Sequence, residues 1–221
     1  MRCLNKHLNN DDANPSLSTE HETASHMNAQ RSNSVKRDIP DIEWIFGYGS
    51  LMWRPGFYHL EQHPARLHGY HRAACIYSRH HRGTDTVPGL VLGLDTGGYC
   101  DGIAFKIDIK HRMQIIDYLH QRELIGYAYT PLTTPVTLPH AEVSAYTFVA
   151  DPAHPHYAGS LGTEAAAAII MRAQGSSGLN RDYLISTVEK LAQDGVAEPE
   201  LTELLTKVRV LTGELDQGGG I

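Results

Sequence analysis

The chain has 221 residues, 41% of them apolar and 20% charged, enough to bury a core and too little charge for wholesale disorder. Its longest uninterrupted apolar run, at 165–171, falls far short of the ~20 residues that a membrane-spanning helix needs. A formal net charge of −6 leaves no basic field for a phosphate backbone, so neither a membrane nor a nucleic acid is expected as a partner.

The first 40 residues contain no Phe, Trp or Tyr, but six Asn and five Ser, with five basic residues against five acidic. So little apolar surface cannot offset ordering entropy, which predicts a disordered tail at 1–40 ahead of a folded domain at 41–215. The tail has no apolar h-region, and its acidic residues argue against an organellar transit sequence. Cys3, Cys75 and Cys100 are odd in number and widely spread, which fits reduced thiols and a cytoplasmic location.

From residue 41 the pattern changes. The aromatic stretch at 43–48, stopped by Gly49, predicts a strand running into a tight loop. Strands are also expected at 70–77, 89–94 and 102–109, between turns rich in Gly, Pro and His. The segment 110–123 has helical period, with Met113, Ile115, Ile116 and Leu119 along one stripe. Thr, Val and Tyr then mark strands at 127–138 and 142–149. An alanine-rich helix at 164–174 would end on Gly175 as its C′ residue. Asn180 is suited to cap a helix that buries Tyr183, Leu184, Thr187, Val188 and Leu191. The last helix has Pro199 in its first turn, then Leu201, Leu204, Leu205 and Val208. Strands come first and helices last, so the expected class is α+β.

Three segments could carry chemistry. In Phe46-Gly47-Tyr48-Gly49-Ser50-Leu51, two glycines flanking a tyrosine let the backbone turn sharply and expose successive N–H groups, a nest for a carboxylate, phosphate or oxyanion. A dinucleotide fingerprint fails there, because Met52 stands where the third glycine belongs and no acid follows at ~20 residues. A glycine-rich turn without a ligand is the plain alternative. In the second segment, 118–127, Glu123 lies i+4 from Leu119 on the apolar side of its helix. A carboxylate among Leu124, Ile125 and Tyr127 loses solvation, its pKa rises, and it becomes a candidate general base; a salt bridge to Arg122 is the other reading. The third, 175–184, needs no role beyond closing one helix and opening the next.

Fourteen histidines raise the question of a metal. His59 and His63 lack the zincin order, and the pairs His80-His81 and His154-Pro-His156 have no third ligand nearby, so no metal is expected. Ser50 is not in a nucleophile elbow, since no second glycine follows. Cys100 could act as a nucleophile only beside a histidine.

In this order, the segments resemble the ChaC family of glutathione-specific γ-glutamylcyclotransferases. The resemblance rests on Phe46-Gly47-Tyr48-Gly49-Ser50-Leu51-Met52-Trp53-Arg54-Pro55, then Gly69-Tyr70, His81-Arg82-Gly83 and Pro88-Gly89-Leu90-Val91-Leu92-Gly93-Leu94. Tyr118-Leu119 with Arg122-Glu123 and Gly126-Tyr127, Tyr157-Ala158-Gly159, and Gly175-x-x-Gly178-x-Asn180-x-x-Tyr183-Leu184 complete it, over about 43–195. Ile125 and Ala128 depart from the double glycine and following arginine of many members. The resemblance implies a small mixed β-barrel with flanking and C-terminal helices. It also implies cleavage of glutathione, a small-molecule substrate, to 5-oxoproline and cysteinylglycine with no metal or cofactor. It makes Glu123 the catalytic acid/base, Tyr48, Gly49, Ser50 and Leu51 the substrate-binding loop, and Tyr127 and Tyr157 pocket tyrosines. Two alternatives stay open: a cyclotransferase for other γ-glutamyl amines, and a non-catalytic regulator of cation transport.

Overall fold

The computed structural model describes residues 40–124, 126 and 128–213. The expected tail up to residue 39, Ile125, Tyr127 and 214–221 lie outside the described residues. Five strands form a closed barrel in the order β1-β3-β2-β4-β5. β1 (Trp44–Gly47) pairs antiparallel with β3 (Gly89–Lys106), from Trp44 opposite Lys106 to Gly47 opposite Ile103. On its other side β1 runs parallel to β5 (Glu142–Ala150), which makes the barrel mixed. β2 (Glu61–Ser78) and β3 form one long hairpin, and β4 (Tyr129–Thr137) links β2 to β5.

The strands expected at 70–77, 89–94 and 102–109 fall in two 18-residue strands, but β3 ends at Lys106, and Ile109 already opens a 3-10 turn. The polar and glycine-rich stretches at 61–69 and 95–101 have weak local strand signals, but residues 61–68 pair with 99–106 and residues 95–96 with 70–71, and long-range pairing overrides propensity. The pairing register shifts between His68 and Tyr70 and between Ala73 and Ile76. Gly69 takes φ +87° at the first shift, a bulge geometry that bends a long strand around a barrel.

α1 (Arg112–Glu123) packs Ile115, Ile116 and Leu119 against Ile45, Phe105, Tyr146 and Phe148 of the barrel. Met113, expected on this stripe, is 63% exposed. It sits in the first turn of α1, soon after Ile109, which is likewise exposed. α2 (Thr163–Arg172), α3 (Asn180–Gln193) and α4 (Pro199–Leu211) bury a second cluster that includes Ile170, Leu184, Leu191, Leu201, Leu204 and Val208 over Leu90 and Leu92 of β3. Truncating any of these leucines to alanine costs about 2–5 kcal/mol.

Two expectations for this helical layer are corrected. α2 ends at Arg172, and Gly175 is not its C′ residue. It belongs to β6 (Gln174–Gly175), paired with β7 (Gly178–Leu179). A Cβ at Gly175 would lie 2.4 Å from the His80 carbonyl oxygen, so glycine is needed for close approach of two loops. Asn180 is the first residue of α3 and makes no capping bond. It is fully buried, accepts from the Leu90 N–H and donates to the Leu90 carbonyl, both at 2.7 Å.

Candidate active site

Along β3, β1 covers only residues 103–106, so near Leu90 and Leu92 that edge of β3 meets side chains instead of β1. Asn180 takes both polar groups of Leu90. The Leu92 N–H donates to the Tyr183 hydroxyl at 3.2 Å, and the Tyr129 hydroxyl donates to the Leu92 carbonyl. Buried backbone groups demand partners, and here the partners are side chains from α3 and β4. A cavity opens beside them.

The loop after β1 forms one wall. Gly47 is compelled by packing, since a Cβ there would come within 2.9 Å of Leu51 Cβ. The chain then makes a single 3-10 turn, Ser50–Met52, in which Met52 N–H donates to Gly49 O and Arg54 N–H to Ser50 O. The amides of Ser50 and Leu51 open the turn and have no acceptor within it.

The end of α1 forms the facing wall. Arg122 donates from Nη2 to Ser50 Oγ at 2.6 Å and from Nη1 to Arg54 O at 2.7 Å, tying the helix end to the loop. Its Nε lies 3.0 Å from Glu123 Oε1. The salt-bridge reading of Glu123 is therefore correct as geometry, yet it does not exhaust the residue. Only 18% of the Glu123 side chain is exposed, and burial raises its pKa from the ordinary 4.5 against the opposing pull of Arg122. Desolvation outweighs the ion pair. Burial also pushes the phenols of Tyr48 and Tyr129 far up, with a smaller push from the nearby Glu123 charge, so both stay protonated.

The cavity has two parts. An inner recess of about 60 Å³ is lined by Tyr48, Gly49, Ser50, Leu51, Leu92, Glu123, Tyr129, Phe148 and Tyr183. It shares Ser50, Glu123, Tyr129 and Tyr183 with an outer chamber of about 500 Å³, where Trp53, Arg54, His81, Arg82 and Ser177 join the wall.

Of the residues singled out in the sequence, Tyr48, Gly49, Ser50, Leu51 and Glu123 converge on this cavity. Tyr127 lies outside the described residues. Tyr157, expected as a pocket tyrosine, is not among the residues that line the recess or the chamber. Its hydroxyl donates to both carboxylate oxygens of Asp95, at 2.9 and 3.0 Å, and it packs, as Tyr129 and Tyr183 do, against the cluster of Cys75, Ile76 and Val91. Tyr129, Tyr183 and Arg82 line the cavity although sequence reasoning gave them no part in it. The segments that carry the resemblance contain Arg82 and Tyr183, whereas no local signal marks Tyr129. Cys100 is buried in an apolar cluster with its thiol pushed up to about 11, and among the described residues its Sγ hydrogen-bonds to the Asp101 carbonyl and to no histidine, which leaves it no partner base. Among the described residues, no three His, Cys, Asp or Glu side chains converge as metal ligands.

Fold and site together define a small closed-barrel protein whose cavity sets a desolvated carboxylate against a glycine-bounded turn. The chain belongs to the ChaC-like protein family, whose model matches residues 43–211. It is 36% identical over 172 residues to the glutathione-specific gamma-glutamylcyclotransferase of Escherichia coli (strain K12), covering 77% of this chain and 74% of that protein. It is also 36% identical over 151 residues to glutathione-specific gamma-glutamylcyclotransferase 1 of Homo sapiens, covering 66% of this chain and 68% of that protein. A crystal structure of a yeast gamma-glutamylcyclotransferase specific to glutathione shares the fold, with a TM-score of 0.67 at 23% identity over 76% of this chain and 98% of that one.

Proposed function

We propose that this protein cleaves glutathione by intramolecular attack of the γ-glutamyl α-amine, releasing 5-oxoproline and cysteinylglycine. The observation that carries this reading is the Glu123 carboxylate, buried beside the Tyr48–Leu51 turn with its pKa raised by burial. At neutral pH the substrate amine is an ammonium and cannot attack. Glu123 takes one proton from it, and the freed nitrogen adds to the γ-carbonyl carbon, closing a five-membered ring. The carbonyl electrons move to oxygen, then return as the bond to the cysteinyl nitrogen breaks. Glu123 delivers its proton to that nitrogen, then takes the second ammonium proton from the new lactam nitrogen and passes it to the released amine, which leaves as an ammonium. Holding the γ-glutamyl chain curled in the recess supplies about 7–11 kcal/mol of the barrier reduction. The amides of Ser50 and Leu51 and the Ser50 hydroxyl are the donors for the developing oxyanion or the α-carboxylate. Arg122 holds Ser50 and Glu123 at once, which keeps donor and base in fixed relation.

Glu123→Gln tests the assignment. Glutamine keeps size and one acceptor but takes no proton at neutral pH, so glutathione binds while 5-oxoproline release falls ~10²–10⁴-fold. Turnover near that of the unaltered protein removes Glu123 from the chemistry.

A further inference from the structure

Four of the seven large apolar side chains left exposed among the described residues, Tyr58, Leu60, Ile109 and Met113, lie around the start of α1. Tyr58 lines a cleft of about 390 Å³ beside the helix, together with His111, Gln114, Ile115 and Tyr118. The Leu60 N–H donates to Lys106 O, which sets Leu60 next to the strand end three residues before Ile109. Single apolar side chains on a surface need no partner, but a concentration of them marks an interaction site. The same face carries charges in a definite order. Lys110, in the 3-10 turn Ile109–His111, and Asp117 are both exposed and two helical turns apart, with the exposed Met113 and Gln114 between them. Lys110 makes no ion pair among the described residues, whereas Lys106 is held by Glu61 and Arg112 by Asp41. Ile115, Ile116 and Leu119 fix the opposite side of α1 on the barrel, so this stripe points away from it.

We infer that this face of α1 is the contact surface for a second copy of the chain, packed antiparallel across a two-fold axis that passes between Met113 and Gln114. Positions 110 and 117 are equally far from that axis, so Lys110 of each copy faces Asp117 of the other. A parallel arrangement sets like charges together instead, and the charge order therefore selects the antiparallel one. The two positions are about 10 Å apart along the helix, which places one ion pair on each side of the axis. Met113 meets its own copy there, and an unbranched thioether adapts to the shape of its neighbour. Ile109, Tyr58 and Leu60 widen the apolar area around this centre. Apolar burial supplies the affinity, while exposed ion pairs contribute little to it and mainly fix the register. Lys110 and Asp117 cancel in charge, so the stripe has no field that an anionic membrane or a nucleic acid would follow. A second copy matches it because the stripe is its own complement when reversed.

The test is sedimentation equilibrium of the full chain at neutral pH over a range of concentrations, combined with charge reversal. The unaltered protein should pass reversibly from 24.5 kDa to twice that mass, with half-association at about 1–100 μM, as suits a surface of modest size. Lys110→Glu and Asp117→Lys each set like charges across the axis and should weaken association by about 10-fold or more. The double reversal Lys110→Asp with Asp117→Lys restores opposite charges and should return association to within about threefold of the unaltered chain. Met113→Glu puts two carboxylates at the axis and should leave a monomer throughout. These side chains are exposed in a single copy, so each variant retains its fold. A chain that stays at 24.5 kDa up to about 1 mM overturns the inference. A dimer that Met113→Glu leaves intact, or one that the double reversal fails to restore, overturns it equally. Co-flotation of a monomeric chain with phosphatidylserine vesicles, lost in Met113→Glu, would assign the patch to a lipid surface and overturn it as well.

Discussion

Glu198→Ala probes the polar contact that ties the C-terminal helices to the candidate site. Arg72 is the largest fully buried side chain of the barrel. Its Nε donates to the Tyr48 carbonyl, its Nη2 to Asp101 O at 2.6 Å, and its Nη1 pairs with Glu198. The Arg72 side chain is 0% exposed and that of Glu198 17%, so removing the carboxylate leaves a cation without its counter-ion. Breaking a fully buried pair costs about 3–5 kcal/mol. Partial exposure of Glu198 lets water compensate, which brings the expected loss to about 2–3 kcal/mol. Glu198 stands at the N-cap of α4 without a capping side-chain bond, so no cap is lost with it. At about 2–4 °C per kcal/mol for a chain of this size, the melting temperature should fall by roughly 4–12 °C. Breaking the half-exposed pair Lys190–Asp194 serves as the control, worth about 0.3–0.5 kcal/mol. Differential scanning calorimetry at neutral pH reads both. The double variant Arg72→Met with Glu198→Leu should recover part of the stability, since apolar replacement of a buried pair is often neutral but the Tyr48 and Asp101 carbonyls lose their donor. Turnover of that double variant should fall, because nothing then holds the Tyr48 carbonyl. A Glu198→Ala protein that melts within 1 °C of the unaltered chain, roughly the control's shift, refutes the reasoning.

Three further outcomes are expected. Burial raises the Glu123 pKa, so kcat/KM should fall on acidification with a midpoint above the ordinary 4.5, and a midpoint at or below that value would contradict the desolvated base. The sign for stability is opposite: a raised folded-state pKa favours the protonated form, and that stabilisation is complete below 4.5 and lost as pH rises through the folded value. Glu123→Gln should therefore melt no lower than the unaltered protein at neutral pH, and a drop of several degrees would show that the Arg122 pair dominates. Tyr157→Phe removes hydrogen bonds to the buried Asp95 and should cost about 1–3 kcal/mol with KM unchanged, whereas a raised KM at constant melting temperature would return Tyr157 to the substrate site.

Features written in consecutive residues were legible from the start. The apolar stripes of α1, α3 and α4 predict which faces are buried, because a helix buries what recurs at its own period. The position of Glu123 on the side of Leu119, and the abrupt turn after Gly47, are equally local, and both ended at the cavity. Tertiary structure decided what depends on distant partners. The polar stretches of β2 and β3 are strands only because residues distant in sequence complete their ladders. Asn180 looked like a cap, as asparagine before a helix usually does, until a strand edge 90 residues away offered both a donor and an acceptor. Arg72 and Glu198 are 126 residues apart, and Arg82 is oriented by carbonyls 95 and 97 residues away. A sequence states which groups a residue carries. Whether a carboxylate is desolvated, or a cation left to face a cavity, is set by what the closed barrel and its helices bring around it.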